Sequence, residues 1–408
     1  MSKLNYLNFV FLESVATITR LAGYEYSTLW KEAKDGEIIA LRGFNIGANK
    51  INDREVVRIS NDLSLKLNRS RLYKGDVVYP CVGTIGNAAV IQENDKFHIQ
   101  QNIAKITPGA ELDSNFLCQF LMSDLALKEV KKFNATSSQP NVLVGSLRKY
   151  LIPLPPLPEQ QKIARILSTW DELIDKQTKL IAAKEKRKQA LMQKLLSGEV
   201  RLAEFKKEKW KIAKMSGLGE FKNGINKGKE DFGKGVPFVN LMDVFGKSSI
   251  SANGLSLVNA TVDEILNYSL KKGDVLFVRS SVKPSGVGLT AVIDQDIPNT
   301  VYSGFLIRFR SNGLLDSTFL KYCFNELSFR NQMLSKSSVS AVTNINQESL
   351  NSLIIKYPSS ISEQQFIASV LIACETELDS LKTQLENYKF QKQGMMQELL
   401  TGKIRAKI

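Results

Sequence analysis

Few residues of this chain have the types and spacing that catalysis requires. His98 is the only histidine among 408 residues, and its neighbours in sequence do not resemble the turn that presents a nucleophilic serine. The four cysteines are Cys81, Cys118, Cys323 and Cys374, with no Cys-x-x-Cys pair. This pattern argues against a zinc site. It is typical of small buried cysteines in a reducing compartment.

Two glycine motifs approach phosphate-binding sequences without completing them. Residues 228–234 have the Gly-x-x-x-x-Gly-Lys spacing, but Gly235 stands where a P-loop needs serine or threonine for magnesium, so we interpret the segment as a turn. Residues 286–288 lack the third glycine of a dinucleotide-binding loop. The motifs therefore do not support an enzyme.

The polar side chains fit DNA recognition better. A net charge of +14 favours a polyanionic partner, although a lysine-rich proteome would give the same excess. After a Gly-Asp strand, each half has a glycine-bearing loop that differs between the halves, at residues 81–87 and 279–286. Arg, Lys, Asn and Gln read base edges, and Ser contacts phosphates. On this basis the DNA-binding candidates are Arg42, Asn45, Gln100, Gln101, Asn102, Gln139, Asn141, Asn240, Asp243, Arg279, Ser280, Ser281, Lys283 and Asn344.

The elements that must position these side chains occur twice. Residues 72–78 match residues 270–276, and residues 159–201 match residues 363–405 without a gap at an offset of 204. Both long matches begin with Glu-Gln-Gln and end with Leu-Leu-x-Gly-x-x-Arg. The helical parts are therefore more alike than the globular parts. We expect this if both helices meet the same kind of surface while the globular parts meet different ones.

A long helix is predicted in each matching segment. Steps of four and three residues give each helix a mostly apolar face with the 3.5-residue repeat of a coiled coil. The apolar residues of these faces are Ile163, Leu167, Trp170, Ile174, Ile181, Leu191, Leu195, Ile367, Leu371, Cys374, Leu378, Leu381, Leu385, Tyr388, Met395 and Leu399. Polar residues interrupt them at Gln177, Lys184, Lys188 and Lys392, and would set the register at some cost in stability.

Each helix should span about 38 residues, roughly 57 Å. The simplest arrangement packs the two helices antiparallel, and the alternative packs each helix on its own domain. A rod of this length can bridge two DNA contacts about one helical turn, roughly 35 Å, apart.

Prolines and glycines mark the boundaries. Pro153, Pro155, Pro156 and Pro158 disfavour helix before the first Glu-Gln-Gln, and Gly198 and Gly402 stand where helices would end. Strand-like runs such as 76–79 and 274–278 precede helix-like stretches at 116–132 and 317–334. We therefore predict an α+β internal repeat of two globular domains joined by two long antiparallel helices. The domains would occupy residues 1–158 and 205–362, and the helices residues 159–204 and 363–408.

The repeated ends of the helices resemble a known family. Residues 158–164 (Pro-Glu-Gln-Gln-Lys-Ile-Ala) and 195–198 (Leu-Leu-Ser-Gly), with their repetition 204 residues later, look like the specificity subunit of type I restriction–modification systems. Residues 210–211, 221–224 and 235–240 also resemble the start of a target recognition domain in that family. The likeness spans essentially the whole chain. The second Pro-rich lead, residues 357–363, is thinner than the first.

This resemblance implies two target recognition domains, each reading one half of an asymmetric, bipartite sequence in double-stranded DNA. It implies that the helices act as spacer and as docking surface for two methyltransferase subunits, with a motor-nuclease restriction subunit completing the complex. Such a subunit has no catalytic residues or cofactor of its own. S-adenosylmethionine, ATP and Mg²⁺ would be used by the partners.

No apolar run reaches the ~18 residues of a membrane span, so we expect a cytoplasmic protein. Two other classes stay open at this stage. A free-standing DNA-binding regulator fits the charge but would rarely need two unlike readers on a stalk. A structural coiled-coil scaffold leaves the charge and the divergent loops unexplained.

Overall fold

The computed structural model describes residues 8–133, 141–339 and 343–407, and no helix within them is long and apolar enough to cross a membrane. The chain forms two compact units. The first comprises residues 1–180 and 381–408, and the second comprises residues 181–380. Each unit therefore holds one globular domain, one half of the first long helix and one half of the second.

The first unit begins with a mixed α+β domain. Its strands are β1 (Phe9–Phe11), β2 (Ala16–Arg20), β3 (Ile38–Leu41), β4 (Ile46–Gly47), β5 (Lys50–Ile51), β6 (Val57–Ile59), β7 (Val77–Pro80), β8 (Ala89–Val90), β9 (Phe97–Ile99), β10 (Ile103–Pro108) and β11 (Leu151–Pro153). Its helices are α1 (Leu12–Val15), α2 (Gly23–Leu29), α3 (Asn61–Lys66), α4 (Ser114–Leu121), α5 (Asp124–Phe133) and α6 (Val144–Arg148), with 3₁₀ turns at Gly43–Asn45 and Asn68–Ser70. The long helix α7 (Leu157–Ser197) starts in this unit.

The second unit holds a domain of the same class. Its strands are β12 (Trp210–Lys214), β13 (Gly219–Asn223), β14 (Phe232–Val239), β15 (Ser249–Ile250), β16 (Ser256–Val258), β17 (Val275–Val278), β18 (Ser280–Ser281), β19 (Thr290–Ile293), β20 (Val301–Tyr302), β21 (Leu306–Ser311), β22 (Ser338–Val339), β23 (Thr343–Asn344) and β24 (Ile354–Pro358). Its helices are α8 (Leu241–Val244), α9 (Val262–Tyr268), α10 (Ser317–Cys323), α11 (Leu327–Ser335) and α12 (Gln347–Asn351). 3₁₀ turns lie at Ala203–Phe205, Met215–Gly217, Lys229–Asp231 and Pro284–Gly286, and the long helix α13 (Ile361–Leu400) starts here.

The two domains have the same sheet topology, which confirms that the repeat extends through the globular parts. The order β2-β10-β7-β8 in the first corresponds to β13-β21-β17-β19 in the second. The order β6-β3-β9 corresponds to β16-β14-β20, and each of these sheets contains one parallel pair. The domains differ in smaller additions: the β4-β5 hairpin in the first, and β15 and the β18-β23-β22 sheet in the second.

The repeated Gly-Asp dipeptide makes the turn before the central strand of each domain. Gly75 and Gly273 have φ of +93° and +91°, a conformation that favours glycine. The buried carboxylate of Asp76 accepts the Tyr73 N–H at 2.7 Å, and that of Asp274 accepts the Lys271 N–H at 2.8 Å. The Gly-Asp match in the sequence therefore marks a turn in which the aspartate side chain accepts a hydrogen bond from the backbone of the same turn.

The Glu-Gln-Gln and Leu-Leu-x-Gly-x-x-Arg motifs meet each other. Glu159, in the first turn of α7, pairs with Arg405, which follows the end of α13. Glu363, in the first turn of α13, accepts the Nε and Nη2 hydrogens of Arg201, which follows α7, each at 2.7 Å. Each pair lies within one unit, so the start of one long helix is joined to the end of the other. The repeated motifs thus have a common role inside the molecule.

The second residue of each Glu-Gln-Gln motif attaches the helix to its domain. Gln160 accepts the Asp113 N–H at 2.8 Å and donates to the carbonyls of Glu111 and Pro155. Gln364 accepts the Asp316 N–H at 2.7 Å and makes the equivalent pair of bonds to carbonyls. Both amides are fully buried, and hydrogen bonding to main chain at both ends explains why glutamine recurs.

The two long helices pair in the antiparallel sense within each unit, as predicted. In the first unit the Gln177 amide donates to the Leu381 carbonyl at 3.0 Å, and the rings of Trp170 and Tyr388 lie 6.1 Å apart. In the second unit Lys184 pairs with Glu377.

The remaining polar interruptions of the apolar faces are also paired. Lys392 contacts Asp171 at 2.6 Å in the first unit, and Lys188 contacts Glu375 at 2.7 Å in the second. These two ion pairs occupy equivalent places, since both residues of one are 204 positions from those of the other. Both ion pairs join α7 to α13, and the role of the polar residues in setting the register stays a prediction.

Near the helix ends, the apolar faces pack into the cores of the globular domains, whereas in a plain coiled coil helix packs only on helix. Ile163, Leu167 and Leu399 belong to the core of the first domain. Leu195 belongs to the core of the second, where it joins the start of α13. Each domain thus packs on both helices, and only the central part of the seam is helix against helix. All the predicted seam residues are buried or half-buried, so the chain itself covers them.

The long helices end at Ser197 and Leu400, before the predicted segment ends at residues 204 and 408. Gly198 directly follows the first helix and Gly402 lies two residues after the second, with φ of +76° and +72°. The helices begin at Leu157 and Ile361, two residues before the predicted starts. Of residues 228–234, which the sequence places in a turn, residues 229–231 form a 3₁₀ turn and residues 232–234 belong to β14, where the pairing with β16 is irregular.

Candidate nucleic-acid interface

In the first domain, the loop at residues 81–87 follows β7 at one edge of the four-stranded sheet. On one side the Cys81 N–H donates to the Asn102 carbonyl at 2.7 Å. On the other side the Val142 N–H donates to the Cys81 carbonyl at 2.8 Å, and Asn141 forms a bridge with Val82. Segments distant in sequence are therefore gathered around this loop.

The turn after β3 lies against the same loop. The Thr84 hydroxyl donates to the Gly43 carbonyl at 2.9 Å, and the Asn87 amide donates to the Ile46 carbonyl at 3.1 Å. Arg42 opens this turn, with its guanidinium 4.3 Å from the centre of the Phe44 ring. The sequence-predicted residues that come together here are Arg42, Gln101, Asn102 and Asn141.

The second domain builds its loop on the same framework. The Arg279 N–H donates to the Phe305 carbonyl, and the Ile345 N–H donates to the Arg279 carbonyl, both at 2.9 Å. These bonds correspond to those of Cys81 in the first domain. Asn344 pairs with Ser280 between β18 and β23 and corresponds to Asn141, which pairs with Val82. The other residues gathered here are different in kind, and they are Arg279, Ser280, Ser281 and Lys283.

The turns after β3 and β14 are also equivalent. Asn45 accepts the Arg42 N–H through its side-chain oxygen at 3.0 Å, and Asp243 accepts the Asn240 N–H at 2.9 Å. Asn240 and Asp243 are half-buried and close this turn at the start of α8. Their position matches that of residues 42–45, so the two turns share one design with different side chains.

Two candidates of the first domain, Asn45 and Gln100, are buried. Asn45 is fully buried and donates to the carbonyls of Asn52 and Arg54 at 3.0 and 3.2 Å. Reading a base with the Asn45 amide would require these two hydrogen bonds to break. Gln139 lies outside the described residues.

The sequence does not single out the apolar side chains at this edge. In the second domain Val282, Met242 and Phe305 are 82%, 72% and 56% exposed, and in the first Phe44 and Val82 are exposed. Phe44 and Met242 occupy equivalent places in the turns after β3 and β14. Apolar side chains can contact the methyl group of thymine, so they extend the chemistry of the loops. Single exposed apolar residues carry no sequence signal, because only the fold reveals their exposure.

The histidine and three of the four cysteines are buried, and Cys374 is half-buried. The His98 ring is buried, with its nitrogens 2.8 and 3.2 Å from the carbonyls of Ile99 and Leu67, and burial lowers its pKa. Burial raises the pKa of Cys81 to about 11, so the thiol is protonated at neutral pH. Among the residues that the structure describes, no three His, Cys, Asp or Glu side chains form a metal-binding group.

A family model described as the type I restriction modification DNA specificity domain matches the chain twice, at residues 8–185 and 207–388. The EcoKI specificity subunit of the type I restriction enzyme of Escherichia coli K12 is 22% identical over 418 residues, covering 97% of this chain and 88% of that protein. The MjaVIII specificity subunit of Methanocaldococcus jannaschii is 26% identical over 375 residues, covering 88% and 82%.

Solved structures share the fold. A chain of a type I R-M system, solved in the context of complex assembly and conformational transition, aligns with a TM-score of 0.65 at 18% identity, covering 98% of this chain and 99% of that chain. The S subunit of the type I restriction–modification system from M. genitalium aligns with a TM-score of 0.55 at 15% identity, covering 98% of each chain.

Proposed function

Because the chain belongs to the family defined by the type I restriction modification DNA specificity domain, we propose that it is the non-catalytic subunit that reads DNA sequence in such a system. Each globular domain reads one half of a bipartite, asymmetric target. One observation carries this proposal: the domains share a hydrogen-bonded frame around the loops at residues 81–87 and 279–286, but apart from the equivalent Asn141 and Asn344 the side chains on that frame differ. Two domains with the same backbone frame but different side chains on it suit two half-sites of different sequence.

The proposed readers are the polar side chains gathered at these loops. In the first domain they are Arg42, Gln101, Asn102 and Asn141, and in the second Asn240, Asp243, Arg279, Ser280, Ser281, Lys283 and Asn344. Arginine and asparagine can form paired hydrogen bonds with guanine and adenine edges in the major groove. The exposed Phe44, Val82, Met242, Val282 and Phe305 add apolar contacts to thymine methyl groups.

The long helices serve as spacer and docking surface for two methyltransferase subunits, which a motor-nuclease subunit joins. Because the seam is covered by the chain itself, the docking contacts use outward positions, such as the exposed Leu180 and Phe390. The chain needs no cofactor for reading DNA. S-adenosylmethionine, ATP and Mg²⁺ serve the partners, and the complex works in the cytoplasm, where it meets DNA.

Mapping of methylated bases in host DNA, with and without this gene, tests the proposed function. We expect deletion to remove methylation at one bipartite motif and leave other motifs unchanged. Restoring the wild-type gene should restore that motif, which excludes an effect of the deletion on neighbouring genes. An unchanged pattern of methylation would contradict a role in sequence recognition.

A second prediction concerns the spacer between the half-sites. Four residues added to α7 between Gln177 and Lys188, with four added to α13 between Leu378 and Leu381, lengthen each helix by about 6 Å. That is close to two base-pair steps of about 3.4 Å. We expect the methylated motif to keep both half-sites and gain one or two unspecified base pairs between them.

The matched control places four residues in the exposed turn at residues 252–253, away from both helices. The control should keep the natural spacing. If the helix insertion altered the half-sites themselves while the spacing stayed constant, the helices would not act as a ruler.

A further inference from the structure

Three arginines of the first domain converge on an open groove of about 600 Å³. Arg20 ends β2, Arg69 lies in a 3₁₀ turn, and Arg148 ends α6. All three side chains are exposed, and no carboxylate lines the groove. We call this feature the arginine groove. Three like charges brought together in this way repel one another unless an anion lies between them.

Two of the arginines are held in place. Arg148 donates through Nη2 to the Ile18 carbonyl at 3.1 Å, and Arg69 lies 3.4 Å from a carboxylate oxygen of Glu25, outside the groove lining. Of the three arginines, only Arg69 forms an ion pair among the described residues. A guanidinium has five N–H donors, so each arginine keeps donors for a ligand.

The groove adjoins the loop at residues 81–87. Arg20 pairs with Ala104 across the β2–β10 ladder, at the same sheet edge as Asn102. Leu143, which lines the groove, follows Val142, whose N–H donates to the Cys81 carbonyl at the start of the loop. A DNA backbone beside bases read by that loop would therefore pass the three arginines.

The second domain has asparagine at each equivalent place. Asn223 pairs with Ile307 in the ladder that corresponds to β2–β10, and Asn351 ends α12 as Arg148 ends α6. Asn267 is equivalent to Arg69. The Ser269 carbonyl lies two residues after Asn267 and accepts a hydrogen bond from an arginine side chain of β21. The corresponding carbonyl in the first domain lies two residues after Arg69 and accepts a lysine side chain from β10. Three charges in one domain are thus three neutral amides in the other.

We propose that the arginine groove binds the sugar-phosphate backbone of DNA next to the first half-site, and that the second domain makes no equivalent charged contact. This inference rests on the proposed function. Guanidinium groups bind phosphate oxygens through paired charge-assisted hydrogen bonds. Backbone contacts of this kind position a reader without specifying bases. The two half-sites are therefore bound with unequal electrostatics.

The test compares the wild-type complex with Arg20→Asn/Arg148→Asn, which gives the groove the side chains of the second domain. Binding to a duplex that carries the methylated motif is measured between 50 and 300 mM salt. We expect the slope of log K against log salt to fall in magnitude by about 2, since each contacted phosphate contributes about 0.9. The sequence preference should stay unchanged.

Two controls isolate the groove. Arg20→Lys/Arg148→Lys keeps the charges and should keep most of the slope. Asn223→Ala/Asn351→Ala in the second domain should not alter the slope. An unchanged slope in the asparagine variant, with preserved folding by circular dichroism, overturns the inference.

The source of the phosphate is distinguished in the same assay. Neutral methylphosphonates placed beside the first half-site should weaken the wild type and have no further effect on the asparagine variant. If inorganic phosphate competes more strongly than chloride at equal ionic strength, and methylphosphonates have no effect, the groove binds a free anion instead and the inference fails. If the wild type does not distinguish its motif from a scrambled duplex, the proposed function fails. If the wild type is specific for its motif but the asparagine variant has the same salt slope as the wild type, only the inference about the groove is refuted.

Discussion

Replacing Glu363 by alanine is expected to lower the free energy of unfolding of the second unit by about 3–5 kcal/mol, as when one partner of a buried ion pair is removed. The Glu363 side chain is 2% exposed and accepts two hydrogen bonds from Arg201 and one from Trp210 at 3.2 Å. Alanine leaves the Arg201 guanidinium, 15% exposed, without its counter-charge. The loss is measured by urea unfolding, monitored through hydrogen exchange of peptides from the second unit.

Glu159→Ala is the matched variant in the first unit. Its partner Arg405 is 38% exposed and can be hydrated when the carboxylate is removed, so we expect a smaller loss, about 1.5–3 kcal/mol. If both variants lose less than about 1 kcal/mol, these pairs contribute no more than surface ion pairs, and the argument from the repeated motifs is wrong.

The pH dependence of the first unit provides a second readout. Hydrogen bonds from Arg405 hold the pKa of Glu159 below its ordinary value. A carboxyl with a depressed pKa in the folded state contributes stability that is complete above the ordinary glutamate pKa and is lost as pH falls through the depressed value. Glu159→Gln should therefore be less stable than wild type at pH 7, and the difference should shrink in acid.

Replacing Gly286 by alanine is expected to weaken discrimination of the second half-site at least tenfold, about 1.4 kcal/mol or more, the size of one or two base contacts. A Cβ at Gly286 would lie 2.3 Å from the Ser281 hydroxyl, 2.9 Å from the Ser281 Cβ and 3.0 Å from the Phe245 ring. The hydroxyl can rotate away, but the Ser281 Cβ and the ring must move. The loop that carries Lys283 is therefore displaced without losing any of its side chains.

Methylome mapping of the Gly286→Ala strain should show a degenerate second half-site beside an intact first half-site. Gly217→Ala in the same domain is the control, because a Cβ there meets nothing within 4 Å. A change in the first half-site, or an unaltered second half-site, would contradict a role of the loop at residues 279–286 in recognising the second half-site.

Much of the architecture could be predicted from the sequence because it depends on local patterns. The period of apolar residues indicates two long helices, and glycine at positions 198 and 402 ends them, since only glycine adopts positive φ without strain. The self-match indicates that both halves share a frame, and the equal sheet orders confirm this. The difference between the loops could also be predicted, because it is written in their residue types.

The candidate site could be predicted only in part. Asn45 and Asn141 are the same residue type, yet Asn45 is buried under its own turn and Asn141 is exposed beside the loop. Burial depends on which distant segments pack on a residue, and residue type does not encode it. For the same reason the exposed Met242 and Val282 could not be identified from the sequence.

Two relations were decided by the tertiary structure alone. The glutamate of each Glu-Gln-Gln motif pairs with the arginine that follows the other helix. The sequence alignment, in contrast, matches each motif only to its own copy. Arg20, Arg69 and Arg148 meet in one groove, although they are spread over 129 positions. The period and composition of a segment determine its own conformation, but strand register and helix packing determine which segments meet. The sequence thus determined two like frames with unlike loops, and the structure determined which side chains are gathered around those loops.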